Sequence, residues 1–79
     1  MVQMTAQEIF EKLGYEKTCH DEREIIYNDN VLIAEIEFDL QNQTFYCACL
    51  DEALEVGMET LKAINQQCRE LGWLDETVL

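Results

Sequence analysis

The residues best suited to chemistry are Cys19, Cys47, Cys49, Cys68 and the single histidine, His20. Thiolates and imidazole are the usual ligands of zinc. Cys47-x-Cys49, joined by Cys19, His20 and Cys68, has the donor types for such a site. The spacing argues against it. A C-x2-C knuckle brings two thiolates onto one ion, whereas residues two apart in an extended strand point the same way but stand apart. The cysteines therefore read as small buried hydrophobes, a common role for free thiols. His20 beside Asp21 is half of an acid–base pair. No Ser or Thr is placed beside it as a nucleophile, and Cys19, adjacent in a strand, faces away. No catalytic, metal or cofactor-binding residue is assigned, and the chain is not expected to be an enzyme.

The carboxylates are more numerous. Glu35, Glu37 and Asp39 alternate along one strand face, and such groups are the hard ligands of Mg²⁺ or Ca²⁺. No EF-hand spacing accompanies them, and they read as a solvated face. A glycine-rich phosphate loop is excluded, because the glycines are Gly14, Gly57 and Gly72, and two of these look like helix ends.

The elements that must position these groups are marked by caps and periodicity. Thr5-Ala6-Gln7-Glu8 fits a capping box, flanked by Met4 and Ile9 at the hydrophobic-staple positions. Ile9, Phe10 and Leu13 form an apolar stripe, Lys12 suits the C-terminal end of the macrodipole, and Gly14-Tyr15 fits a helix stop. These signals predict a helix over 5–13. A short edge strand over 15–20 and a clearer strand over 24–27 follow. Asn28-Asp29-Asn30 is turn chemistry. The longest strand is predicted over 31–38, a second turn over 40–43, and a last strand over 44–49.

A two-residue turn at Asp29-Asn30 would put Tyr27 opposite Leu32 and Ile25 opposite Ala34. A turn at Gln41-Asn42 would put Phe38 opposite Phe45 and Ile36 opposite Cys47. One face then carries Ile25, Tyr27, Leu32, Ala34, Ile36, Phe38, Phe45, Cys47 and Cys49, a usable core face. Met58, Leu61, Ile64, Cys68 and Leu71 keep the spacing of a buried helical stripe, and Gly72-Trp73 repeats the Gly14-Tyr15 stop. Asp51 is one candidate start for this helix. A loop over 51–56 and a helix over 57–71 fit better, because Gly57 costs about 1 kcal/mol inside a helix. The order is helix, three or four antiparallel strands, helix. It implies one α+β domain over 1–79, a two-layer sandwich with both helices on one face of the sheet.

The chain has 79 residues and a formal net charge of −12. Seventeen acids against five bases repel the phosphate backbone, so direct nucleic-acid binding is disfavoured, as is binding to an anionic membrane. The same charge attracts a basic protein. No apolar run approaches the ~20 residues of a membrane span, and Met1-Val2-Gln3-Met4 lacks the features of a signal peptide. The expected location is the cytoplasm, with reduced thiols.

Two stretches carry a resemblance. They are Thr5-Ala6-Gln7-Glu8-Ile9-Phe10-Glu11-Lys12-Leu13-Gly14-Tyr15 and Ala63-Ile64-Asn65-Gln66-Gln67-Cys68-Arg69-Glu70-Leu71-Gly72-Trp73, with Ile36-Glu37-Phe38-Asp39-Leu40 between them. Together they resemble small uncharacterised proteins encoded in phages and prophages of low-GC Gram-positive bacteria. The resemblance covers nearly the whole chain except 47–57. It implies a bacterial cytoplasm during phage carriage or infection. It brings no catalytic residues.

The predicted register also gathers Ile26, Val31, Ile33 and Tyr46 among Glu24, Glu35, Glu37 and Thr44, on the sheet face away from the helices. Ile26 would sit opposite Ile33, and Tyr46 opposite Glu37. An apolar patch with an acidic rim is a common form of partner surface. Ile26, Val31, Ile33, Glu35, Glu37 and Tyr46 are therefore the candidate interface. The expected function is non-enzymatic protein–protein interaction with a basic host or phage protein, with nucleic-acid mimicry as one form. The alternatives are a self-associating homodimeric module, favoured by the small core of so short a chain, and a small metal- or thiol-dependent protein.

Overall fold

The computed structural model describes residues 4–31, 33–49, 52–53 and 55–74. Helix α1, Ala6–Lys12, begins at the predicted capping box: Glu8 N donates to Thr5 Oγ1 at 3.2 Å and Thr5 N donates to Glu8 Oε1 at 2.8 Å. It ends as predicted, with Gly14 at φ 96° and Tyr15 N donating to Phe10 O at 2.9 Å. The positive φ is why glycine stands there. Helix α2, Met58–Glu70, closes in the same way, with Gly72 at φ 78° and Trp73 N donating to Cys68 O at 2.9 Å.

Between the helices run β1 (Glu16–His20), β2 (Glu24–Asp29), β3 (Ala34–Asp39), β4 (Thr44–Cys49) and the two-residue β5 (Glu52–Ala53). They form one antiparallel sheet in sequential order, a meander. The architecture is the expected two-layer α+β arrangement. The short β5 falls within the predicted 51–56 loop; Asp51, the alternative helix cap, lies outside the described residues.

The β3–β4 pairing is the predicted one, with Ile36 opposite Cys47 and Phe38 opposite Phe45. The β2–β3 pairing is not. β2 continues through Asn28 and Asp29, and Tyr27 lies opposite Ile36 while Ile25 lies opposite Phe38. Asp29 is the cause. It is 6% exposed, and its Oδ1 accepts from Val31 N at 2.9 Å. An Asp that turns inward and anchors the following loop lengthens the connection to 30–33 and delays β3. Val31 and Ile33 thus leave the strand, and Ile26 faces Glu37 rather than Ile33. The displacement is an even number of residues, so the side chains keep their predicted faces despite the changed partners. Leu32, predicted on the core face, lies outside the described residues.

The core lies between the sheet and the helices. Ile25, Tyr27, Ala34, Ile36 and Phe38 meet Ala6, Phe10, Tyr15, Ala63, Ile64 and Cys68. Phe10 stacks on Tyr27 with centroids 4.0 Å apart and meets Phe38 edge-on at 6.3 Å. Such aromatic pairs contribute about 0.5–1.5 kcal/mol each beyond their burial. The buried face of α2 is Ala63, Ile64, Gln67 and Cys68, so the predicted stripe is rotated and Met58 and Leu61 are exposed. The Tyr27 hydroxyl draws Gln67 inward, donating to its Oε1 at 2.6 Å. Glu70 ties the helices together by accepting from Ala6 N, an otherwise unpaired donor of the first turn of α1, at 2.8 Å. Burial is complete on β2 and β3 and fades on β4. Cys47 and Cys49 are half-buried, and Phe45, on the core face by register, is 49% exposed.

Candidate functional site

The sheet face away from the helices is built in cross-strand rows. One row is Glu16, Asn28, Glu35 and Ala48; the next is Cys19, Ile26, Glu37 and Tyr46; the third is Glu24, Asp39 and Thr44. Register alone places Glu16, Glu24, Glu35, Glu37 and Asp39 on one surface. Among the described residues no Lys or Arg occupies an outward strand position. Lys12, Lys62 and Arg69 are on helices, Lys17 sits 5.9 Å above the Tyr27 ring on the opposite face, and Arg23 is in the β1–β2 turn.

Crowding of like charges shows in Glu37. Its hydrogen bond with the Glu24 carboxyl, partial desolvation and the charges of Glu24, Glu35 and Asp39 push its carboxyl above the ordinary value. At the edges the carboxylates serve turns instead. Asp39 accepts from Asn42 Nδ2 at 2.7 Å and from the Asn42 and Gln41 amides, which hold its carboxyl below the ordinary value. Asp21 Oδ1 accepts from Arg23 N at 2.8 Å and Glu24 N at 3.0 Å, with the same effect.

Of the predicted interface residues, the structure brings Ile26, Glu35, Glu37 and Tyr46 onto this face, and Tyr46 is 64% exposed. Val31 stands at the tip of the β2–β3 loop and is 88% exposed. Ile33 lies in the same loop, at the rim of the face rather than on it, beside Asn28, Glu35 and Ala48. Asn28, which reads as a turn residue, is a member of the face. The Thr18 hydroxyl, on the β1 bulge, donates to the Asn28 side-chain oxygen, and Asn28 Nδ2 donates to Glu35 Oε1 at 3.3 Å. No periodicity signal marks a bulge, so this relay across three strands was not legible in the sequence.

The thiols and the histidine separate. Cys19 is on the outer face, Cys47 and Cys49 face the helices, and Cys68 is in the core, so the sheet divides the four. Burial pushes the Cys47 and Cys68 thiols up, and desolvation followed by the charges of Asp21, Glu24 and Glu37 does the same to Cys19. A raised thiol is a poor nucleophile. His20 Nδ1 lies 3.2 Å from Lys17 Nζ, while Asp21 is occupied by its turn, so the adjacent His-Asp pair is not a dyad. One combination went unforeseen: ligand atoms of Cys19, Asp21 and Glu24 lie within 4.8 Å of one another. The β1–β2 turn folds Asp21 back toward Cys19, whose Sγ–H points to Asp21 Oδ2 at 3.8 Å. One soft and two hard donors match no preferred set for a single metal. A surface depression of 640 Å³ is bounded by the consecutive turn residues His20, Asp21, Glu22 and Arg23. A single turn does not enclose a substrate.

No family model, curated protein or solved structure matches the chain. Its functional reading therefore rests on the geometry of the face. Among the described residues no helix is long and apolar enough to cross a membrane.

Proposed function

We propose that this chain is a non-enzymatic interaction protein that docks a basic protein on its outer sheet face. The observation that carries the reading is the single sign of that face: Glu16, Glu24, Glu35, Glu37 and Asp39 with no outward Lys or Arg on its strands, around the exposed Tyr46 and the half-buried Ile26. Rows of carboxylates on a rigid sheet imitate the charge of a phosphate backbone, so a nucleic-acid-binding protein is the partner class that fits. The resemblance to phage and prophage proteins supports reading this activity as that of an accessory protein in a bacterial cytoplasm.

The test is affinity capture by the tagged protein from a lysate of a low-GC Gram-positive bacterium, washed at low and at high salt. A basic protein retained at low salt, released at high salt and not retained by Glu35→Lys/Glu37→Lys supports the reading. Retention that neither salt nor charge reversal changes sinks it.

A second reading, self-association, is favoured by Phe45, Met58, Leu61 and Leu74, large apolar side chains exposed on the core face of β4, on α2 and just beyond it. It predicts a dimer insensitive to salt and disrupted by Leu61→Glu. A monomer at micromolar concentration in sedimentation velocity removes it.

A further inference from the structure

A hollow of 320 Å³ lies at the end of the sheet nearest the β2–β3 loop, lined by Asn28, Glu35 and Ala48 of the outer face, by Asp29 and Ala34 at the strand ends, and by Asn30 and Ile33 of the loop. It exists because Ala48 faces outward in a row whose neighbour on the same strand is Tyr46. A methyl beside the larger Glu35 and Tyr46 side chains leaves the surface low at that point. One wall is Glu35, directly across from Ala48, with its carboxylate oriented by the Asn28 amide and, through that amide, by Thr18. On the loop side, beside Asn30, stands Ile33, 58% exposed and held at φ 53°. A β-branched residue is strained in that region, where Asn or Gly is at ease. The loop nevertheless sets a branched apolar chain there, and with Ala48 it gives the hollow an apolar surface beside the Glu35 carboxylate.

We propose that this hollow receives an arginine side chain of the docking protein, an inference that rests on the acidic-face reading above. The chemistry matches part by part. An arginine stem is apolar and lies against Ile33 and Ala48. Its guanidinium is a planar fork that meets the carboxylate of Glu35 through two parallel N–H···O bonds. Tyr46, two residues along the same face, offers an exposed ring to the edge of the cation. Lysine would fill the hollow with the same charge but a single compact donor group, and would gain less from a fixed carboxylate. Charge complementarity selects the cation, and the shape selects arginine.

The test compares octa-arginine with octa-lysine, equal in charge and length, binding to the full chain at about 50 mM salt, where surface charge is weakly screened. The wild type is expected to prefer octa-arginine by about fivefold, the gain of a two-bond fork over a point charge. Ala48→Leu, which fills the hollow, is expected to abolish the preference while octa-lysine binds as before. Glu35→Gln, which keeps the shape, is expected to abolish it too and decides the matter alone if Ala48→Leu does not fold. A wild type that does not discriminate, or a preference that survives in folded variants, overturns the hollow and leaves the acidic face standing. If neither peptide binds the wild type, the acidic-face reading itself falls.

Discussion

Tyr27 and Gln67 show how a single polar contact sets a core. Burial, with the charges of Glu70 and Glu11, pushes the Tyr27 hydroxyl up to about 12, so it stays a donor at any ordinary pH. Its acceptor, Gln67 Oε1, is among the buried polar groups of the molecule. Tyr27→Phe leaves that acceptor without its partner and is expected to cost about 1–3 kcal/mol in chemical denaturation. Removing both groups in Tyr27→Phe/Gln67→Leu is expected to restore most of the loss. Cys19 supports a second prediction, because its thiol is raised partly by neighbouring carboxylates. Its alkylation by iodoacetamide near pH 7.5 should be slower than that of an unstructured cysteine peptide. Glu24→Gln should quicken it by removing one of those charges. An unchanged rate would mean that desolvation and Asp21, rather than Glu24, set the thiol.

The loops decide what the strands present. The 30–33 connection stores strain at Ile33, while Gln43 takes a similar left-handed conformation at φ 56° in the β3–β4 turn. Ile33→Asn is expected to stabilise the fold by about 0.5–1 kcal/mol, since Asn tolerates positive φ and Ile33 has little burial to lose. No gain in the unfolding midpoint would show that the loop relaxes around Ile33 at no cost. Gly72→Ala probes the opposite case. A Cβ at Gly72 meets nothing within 4 Å, so its expected cost of about 1 kcal/mol comes from backbone conformation alone.

Charge acts on the molecule as a whole. At −12 the chain repels itself, and the outer face concentrates that repulsion. Glu37 is raised above 4.5, so its protonated form stabilises the fold, and that contribution is lost as pH rises through its elevated value. Asp21 and Asp39 are lowered below 3.8, so their contributions are present above that value and are lost as pH falls through their depressed ones. Thermal stability should therefore rise as pH climbs out of the strongly acid range and fall again above 4.5, as Glu37 loses its proton. Glu37→Gln should raise the midpoint at pH 7 and flatten that decline. A midpoint that climbs steadily from pH 4 to 8 would contradict this account.

Much of the architecture was legible in the sequence, because the signals concerned are local. The capping box at Thr5 and Glu8, the two glycine stops, the limits of β4 and the alternation of faces depend on neighbours within a few residues. The β3–β4 register followed from a short connection. The β2–β3 register did not, because it depends on Asp29 turning inward, a choice made by the packing around it. The same holds for the rotated face of α2, set by the Tyr27 hydroxyl, and for Glu70, which finds its acceptor role on another helix. The candidate face divides along the same line. Alternation put Ile26, Glu35, Glu37 and Tyr46 on one surface. The bulge at Thr18 and the shifted loop, both products of tertiary contacts, decided that Asn28 joins them, that Ile33 rims them and that a hollow opens over Ala48. For the residues predicted in strands that stay in strands, sequence by itself determined which share a face, since a period of two survives an even shift of register. Only the folded chain decided which of them touch, since contact is fixed by how loops close and which polar groups find partners inside.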